Sequence, residues 1–309
     1  MAEQINAGLL SRRTVLMAGA ASAGAAVLTG CMGEPDAPEA PPGAIVAGRA
    51  PSVPAHDANA REWQYGEERA IDLDGQIMVL PTRAQPYLPS LRVRAIHDGS
   101  MIGFQISWVD AQTNDLTIAT DSFRDACAVL LAPGEGDQTL RAMGSTTQPA
   151  TLVHWKADWQ RDVDKGRQGI RDAYPNFVVD TYPPLGHPNG EVTPQTYIDE
   201  KPTQWLPGLH VGNPLSAASR SVPVEKLLAH GFGSATTAVT QNCRGHGVRL
   251  ANGWRVALAK PMSALDTGEL ALVPGGHYTC AFAIWAGNEG DAGSRKSPSR
   301  VAWRLIVEA

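Results

Sequence analysis

The dipeptide Asp98-Gly99 constrains the architecture of this chain more than any other short segment. It stands between two runs rich in alternating apolar residues, Leu91 to His97 and Met101 to Val109. A two-residue type I′ turn needs positive φ at both central positions, which aspartate and glycine supply at low cost. In the second run Ile102, Phe104, Ile106 and Trp108 fall on one face, the period-two pattern of a strand with one side buried. A second hairpin is expected at Asn252-Gly253, joining Val248-Arg249-Leu250 to the run Trp254 to Lys260. A third pairs Tyr278 to Trp285 with Val301 to Val307 across a loop of Gly, Asp and Ser. Helical signals are few; Pro223 to His230 reads as a helix, with proline at its start and Gly231 just past its end. Residues 160–222 are rich in Pro, Gly, Asn and Tyr and show little periodicity, and long loops of this kind usually serve a function or face a partner. The expected fold is mainly β: an immunoglobulin-like antiparallel β-sandwich with long insertions and a few short helices, spanning residues 61–309 and starting near Trp63.

Ahead of that domain, Ser11-Arg12-Arg13-Thr14-Val15-Leu16 opens an uncharged apolar run that closes on Leu28-Thr29-Gly30-Cys31. Paired arginines, a short apolar segment, small residues and a cysteine describe an export leader with a lipidation site. The run is short and weakly apolar for a bilayer span of about 20 residues. Residues 1–30 are therefore expected to be a twin-arginine lipoprotein signal peptide, of the kind used for proteins exported already folded, and Cys31 the lipidated residue. Residues 31–60 hold Pro35, Pro38, Pro41, Pro42, Pro51 and Pro54 among Ala and Gly and read as an extended tether. The mature protein is then expected in the periplasm or on the outer face of a membrane, held by its lipid alone.

Hydrophobic content of 43% with 18% charged residues describes an ordinary globular domain, and the net charge of −5 provides no basic footprint for nucleic acid. Beyond Cys31 the cysteines are Cys127, Cys243 and Cys280, an odd number that allows at most one internal bridge, and none lies at CxxC spacing. No G-x-S-x-G, HExxH, P-loop or G-x-G-x-x-G occurs. The eight histidines, His56, His97, His154, His187, His210, His230, His246 and His277, are scattered, and none lies two or four residues from another, so no divalent metal site is expected. Nothing in the residues marks an enzyme.

Several segments carry a resemblance. They are Ala95-Ile96-His97-Asp98-Gly99 leading to Ser107-Trp108-Val109-Asp110, then Ser122-Phe123-Arg124-Asp125-Ala126-Cys127-Ala128-Val129, Ala142-Met143-Gly144 and His154-Trp155-Lys156-Ala157-Asp158. In order follow Gly212-Asn213-Pro214, Gly231-Phe232-Gly233, Gly253-Trp254-Arg255-Val256, Ala281 to Gly287, and Lys296-Ser297. In this order the chain resembles the haem b-binding gamma subunits of dimethyl sulfoxide reductase-like molybdenum enzymes, such as ethylbenzene dehydrogenase, dimethyl sulfide dehydrogenase, and selenate and chlorate reductases. The resemblance implies a non-catalytic electron-transfer subunit with one haem b, whose iron is held by a methionine and a lysine. It implies a molybdopterin catalytic subunit and an iron-sulfur subunit as partners, with a soluble cytochrome c as redox partner. Without a CxxCH, the haem would be held non-covalently.

The resemblance places the methionine at Met143, with Met101 as rival. A thioether is a soft, neutral ligand; an amine binds iron only when unprotonated, which calls for burial. Lys260, at the end of the strand Val256 to Lys260 and on its inward face, is the first choice for the lysine. Lys296 is the rival, expected to contact a haem propionate or close a turn. Phe123, Trp155 and Trp285 are candidates to flank the porphyrin. A lipidated leader departs from the family pattern, in which this subunit is unanchored. The alternative reading is a cofactor-free extracytoplasmic β-sandwich lipoprotein that binds carbohydrate or a protein partner.

Overall fold

The structure, a computed structural model, describes residues 43–138, 143–176, 207–217 and 219–309. The leader over 1–30, Cys31, the first part of the expected tether, Ala142 and His187 lie outside the described residues. Among the described residues thirteen strands share one sheet. They are β1 (Ala44–Arg49), β2 (Arg69–Asp72), β3 (Ser90–His97), β4 (Met101–Val109), β5 (Ala126–Ala132), β6 (Ala150–Lys156), β7 (Val224–Ala229), β8 (Thr236–Thr237), β9 (Arg244–Leu250), β10 (Gly253–Pro261), β11 (His277–Trp285), β12 (Ser297–Pro298) and β13 (Trp303–Val307). Helices are short, the longest described one being α1 (Ala157–Lys165) directly after β6.

The strand order is β8-β7-β6-β5-β11-β13-β1-β3-β4-β10-β9, with β2 beside β3 and β12 beside β11. The sheet turns back on itself, so that its two halves face each other across one core. Phe104 of β4 meets Phe282 of β11 at 6.3 Å between ring centroids. Trp155 of β6, fully buried, stands edge-on to Trp108 at 6.2 Å and to Trp254 at 5.0 Å. Aromatic pairs in such geometry add about 0.5–1.5 kcal/mol beyond the area they bury. Gly247 of β9 makes the approach possible, because a Cβ there would fall 2.3 Å from the Trp155 ring. The mainly-β, sandwich-type architecture expected from the sequence is the one observed.

The hairpin at Asp98-Gly99 forms, but its loop is the three residues 98–100 and not the expected two-residue type I′ turn, since Asp98 is not among the positive-φ residues. Gly99 has φ 90°, and the Asp98 carboxylate accepts from the Ser100 and Met101 amides and the Ser100 hydroxyl. The hairpin of β9 and β10 turns on Ala251 and Asn252, and β11 pairs antiparallel with β13 from His277↔Ile306 to Cys280↔Trp303.

Three expectations are corrected. The segment read as a helix, Pro223 to His230, is strand β7. It pairs with β6 over Ala150↔Ala229 to Trp155↔Val224, and these ladder bonds override the proline-start, glycine-end signal. The segment read as a tether is not free of structure, since β1 lies inside it with Ile45 and Ala47 buried, and the folded domain begins well before residue 61. Finally the sheet is mixed: β1 runs parallel to both β13 and β3. Cys127, Cys243 and Cys280 are all buried free thiols. Burial pushes their pKa up, that of Cys243 to about 12.

Candidate functional site

The sheet half built from β5, β6 and β11 has two faces of different character. Cys127, Val129, Leu131, Val153, Trp155, Cys280, Phe282 and Ile284 point into the core. Alternation turns Ala126, Ala128 and Leu130, Leu152 and His154, and Ala281, Ala283 and Trp285 to the other side. Short side chains at so many neighbouring positions leave a flat apolar floor on which something broad can lie.

Two side chains close over this floor. Met143 comes from the turn between β5 and β6, and Lys296 from the segment that leads into β12. The Lys296 amine stands 3.9 Å from the Met143 sulfur. Met143 holds φ 79°, a conformation that costs a side-chain-bearing residue about 1 kcal/mol or more. Its carbonyl accepts from the Gly231 amide at 3.0 Å, which pins the turn beside the end of β7.

Lys296 meets no carboxylate or carbonyl among the described residues. Besides the sulfur, its amine faces the Trp285 ring, 5.3 Å from the centroid. Burial alone pushes its pKa down from 10.5 to about 8. A basic group shifted toward its neutral form beside a thioether is a poor structural device and places a nitrogen donor next to a soft sulfur donor. At 3.9 Å the amine and the sulfur are in direct hydrogen-bond contact, so they must separate before anything can lie between them. The whole cleft encloses only about 30 Å³, so a flat macrocycle enters only if the Met143 turn and the Lys296 segment part.

Lys260 has another occupation. It faces inward as its strand parity requires, but its amine donates to the Pro261 carbonyl at 2.6 Å and the Leu270 carbonyl at 3.0 Å, and pairs with Glu269 at 3.4 Å. The same Glu269 accepts from Lys226 at 2.7 Å, and Lys226 pairs with Asp266 at 3.0 Å. Burial draws the pKa of Lys260 down against the pull of Glu269. The structure thus brings Met143 to Lys296, whereas Lys260 belongs to a buried charge network that ties β7 and β10 to the 265–270 loop.

The remaining expected residues divide. Trp285 lies at the floor of the cleft, and Phe123, 36% exposed, edges an adjoining cavity that Trp285 also lines. Trp155 points the other way, into the core, because it sits one residue from His154 on β6. Met101 pairs with Pro261 at the end of β4 and is not among the cleft's lining residues. His154, treated by its spacing as an ordinary lone histidine, stacks on Trp285 at 4.6 Å. Strand parity was the signal that could have found it, since Ala150, Leu152 and His154 share a face.

No family model matches the chain. Chlorate reductase subunit gamma from Ideonella dechloratans is 23% identical over 302 residues, covering 95% of this chain and 99% of that protein. The chain is thus similar, over nearly its whole length, to a subunit of a reductase. Among solved structures, a family 9 carbohydrate binding module from Caldicellulosiruptor kristjanssonii in complex with glucose matches with a TM-score of 0.39 and 10% identity, over 86% of this chain and 95% of that one. The same organism's family 9 module in complex with cellotriose matches with a TM-score of 0.36 and 10% identity, over 86% and 93%.

Proposed function

We propose that this chain is an electron-transfer subunit that holds one haem b non-covalently, with the Met143 sulfur and the Lys296 amine as axial ligands. The observation that carries the reading is the meeting of these two side chains, 3.9 Å apart, over a floor of small apolar residues. The similarity to a reductase gamma subunit supports it from outside the structure. Haem with both axial positions filled exchanges single electrons and offers no open position to a substrate. On this reading the chain is not itself an enzyme. It serves a molybdopterin subunit and an iron-sulfur subunit, with a soluble cytochrome c accepting or supplying electrons. Export in the folded state and anchoring through Cys31 belong to the same proposal, resting on the leader sequence.

The chain's own residues do three things. Lys296 presents an amine that burial has already biased toward its neutral, donating form. Met143 presents a neutral thioether, which favours the reduced metal. Trp285 and the alanine floor exclude water from both donors.

The test is a visible spectrum of the purified protein made with haem available. A red protein with sharp α and β bands on reduction is expected, and Met143→Ala and Lys296→Ala should each change that spectrum or lose the haem. Lys260→Met should leave it as it was. A colourless wild-type chain that refuses haem overturns the reading, and oligosaccharide binding by such a chain would put the carbohydrate alternative in its place.

A further inference from the structure

Beside the apolar cleft lies a second cavity of about 190 Å³, lined among others by Thr117, Ser122, Arg124, His154 and Trp285. Trp285 lines both, so the two adjoin at its indole on the outer face of the sheet. Their chemistry differs. The cleft is walled by Ala128, Leu130, Leu152 and Ala281, whereas the second cavity gathers hydroxyls, an imidazole and a guanidinium.

Two of these polar groups have capacity to spare. The Nε2 atom of His154 is buried and has no hydrogen-bond partner among the described residues, an unfavourable state unless something bonds to it. Arg124 makes one bond among the described residues, from Nη1 to Asp158 at 2.8 Å, leaving other donors of its fork uncommitted. Lys156 and Arg124 also lie near the His154 ring, Lys156 paired with Glu225 and Arg124 with Asp158 at 2.8 Å. Asp291, the acid on the cavity wall, is already held by Arg83 at 2.5 Å, by Arg295 at 3.5 Å and by the Ala286 amide at 3.2 Å. An apolar slot beside a small cavity with unused hydrogen-bonding groups suits an amphiphilic ligand: a flat apolar body with anionic groups at one edge.

We propose that this cavity is the carboxylate subsite of the cofactor pocket, with Arg124 and His154 binding the propionates of the haem and so fixing which edge of the ring enters first. The proposal rests on the axial-ligand reading above and adds its orientation. Ser122 and Thr117 stand within the same cavity as further hydroxyl donors.

The experiment uses the full-length chain, freed of haem and titrated with haemin and with haemin dimethyl ester, followed by Soret absorbance. The ester keeps the ring and iron but removes both negative charges. Wild type should bind haemin at least about tenfold more tightly than the ester, the worth of one charge-assisted hydrogen bond. Arg124→Gln and His154→Phe should each shrink that preference, while Arg124→Lys should keep most of it. Arg124 lies at the cavity edge, so its variants test the site without opening the core. Equal affinity of wild type for the two compounds, or a full preference retained by both Arg124→Gln and His154→Phe, overturns the subsite. A failure of the axial-ligand reading looks different: neither compound is bound at all, and the subsite falls with it.

Discussion

Lys296→Met in the haem-free chain should make the protein more stable near neutral pH, and the structure sets the size of the gain. The Lys296 amine is buried against a thioether and an indole face, with no carboxylate to offset the loss of water. Its pKa therefore falls from 10.5 to about 8 on folding. At about 1.4 kcal/mol for each decade, the protonated folded state carries a penalty of about 3 kcal/mol. Partial exposure of the side chain trims this to about 2–3 kcal/mol.

The sign follows from the direction. A lysine whose folded pKa is depressed costs its full penalty below the folded value, where both states are protonated. The cost fades as pH rises from about 8 toward 10.5. Methionine is of similar length, is uncharged at every pH and fills the same space. Urea unfolding of both haem-free chains at pH 6.5 and at pH 10.5 reads the difference. A gain of about 2–3 kcal/mol at pH 6.5, shrinking to less than about 1 kcal/mol at pH 10.5, is expected. A loss of stability at pH 6.5, or a gain of equal size at both pH values, would refute the claim that the amine is desolvated and unpaired.

Three further outcomes can be checked. Glu269→Gln should destabilise the chain by about 3–5 kcal/mol in urea unfolding, because it strands Lys226 and Lys260 with less than their full complement of charge. Although burial opposes it, Lys226 and two backbone amides hold the Glu269 carboxyl below its ordinary range, and Asp266 is likewise depressed. Stability should therefore be present at neutral pH and drain away as pH falls through those depressed values, and the acid limb should weaken in Glu269→Gln. Met143→Gly relieves the φ of 79° but removes side-chain packing, and it should abolish the Met/Lys spectrum; a spectrum unchanged in this variant would remove the sulfur from the site. Gly247→Ala should cost about 1–3 kcal/mol and shift tryptophan fluorescence, since its Cβ would collide with Trp155 at 2.3 Å.

What the sequence made readable was mostly local. The β3–β4 hairpin follows from Asp98-Gly99 and the alternation of Ile102, Phe104, Ile106 and Trp108, signals that lie within one turn and one strand. Strand β7 escaped because proline before Val224 and glycine after His230 are local helix marks, while the ladder to β6 that decides the matter is supplied by residues about 75 positions away. β1 escaped because six residues, Ala44–Arg49, set among prolines and glycines are too few to offer a period to read. At the site, Met143 was legible only through resemblance to a family, since nothing local distinguishes it from core filler. Lys260 was preferred over Lys296 because strand parity points it inward, which it does; that Glu269 waits there for its amine depends on a loop no periodicity describes. The alanine floor is a three-strand property. Each strand shows only every second small residue, and the surface appears when β5, β6 and β11 are laid side by side.

The seam between the two halves of the sandwich joins β1 to β13, pairing Ala44 with Arg304 across about 260 positions of chain. The strand made first by the ribosome must wait for the strand made last before the core can lock. Contacts of such long separation form slowly, and until they form, β1 is an unmatched edge.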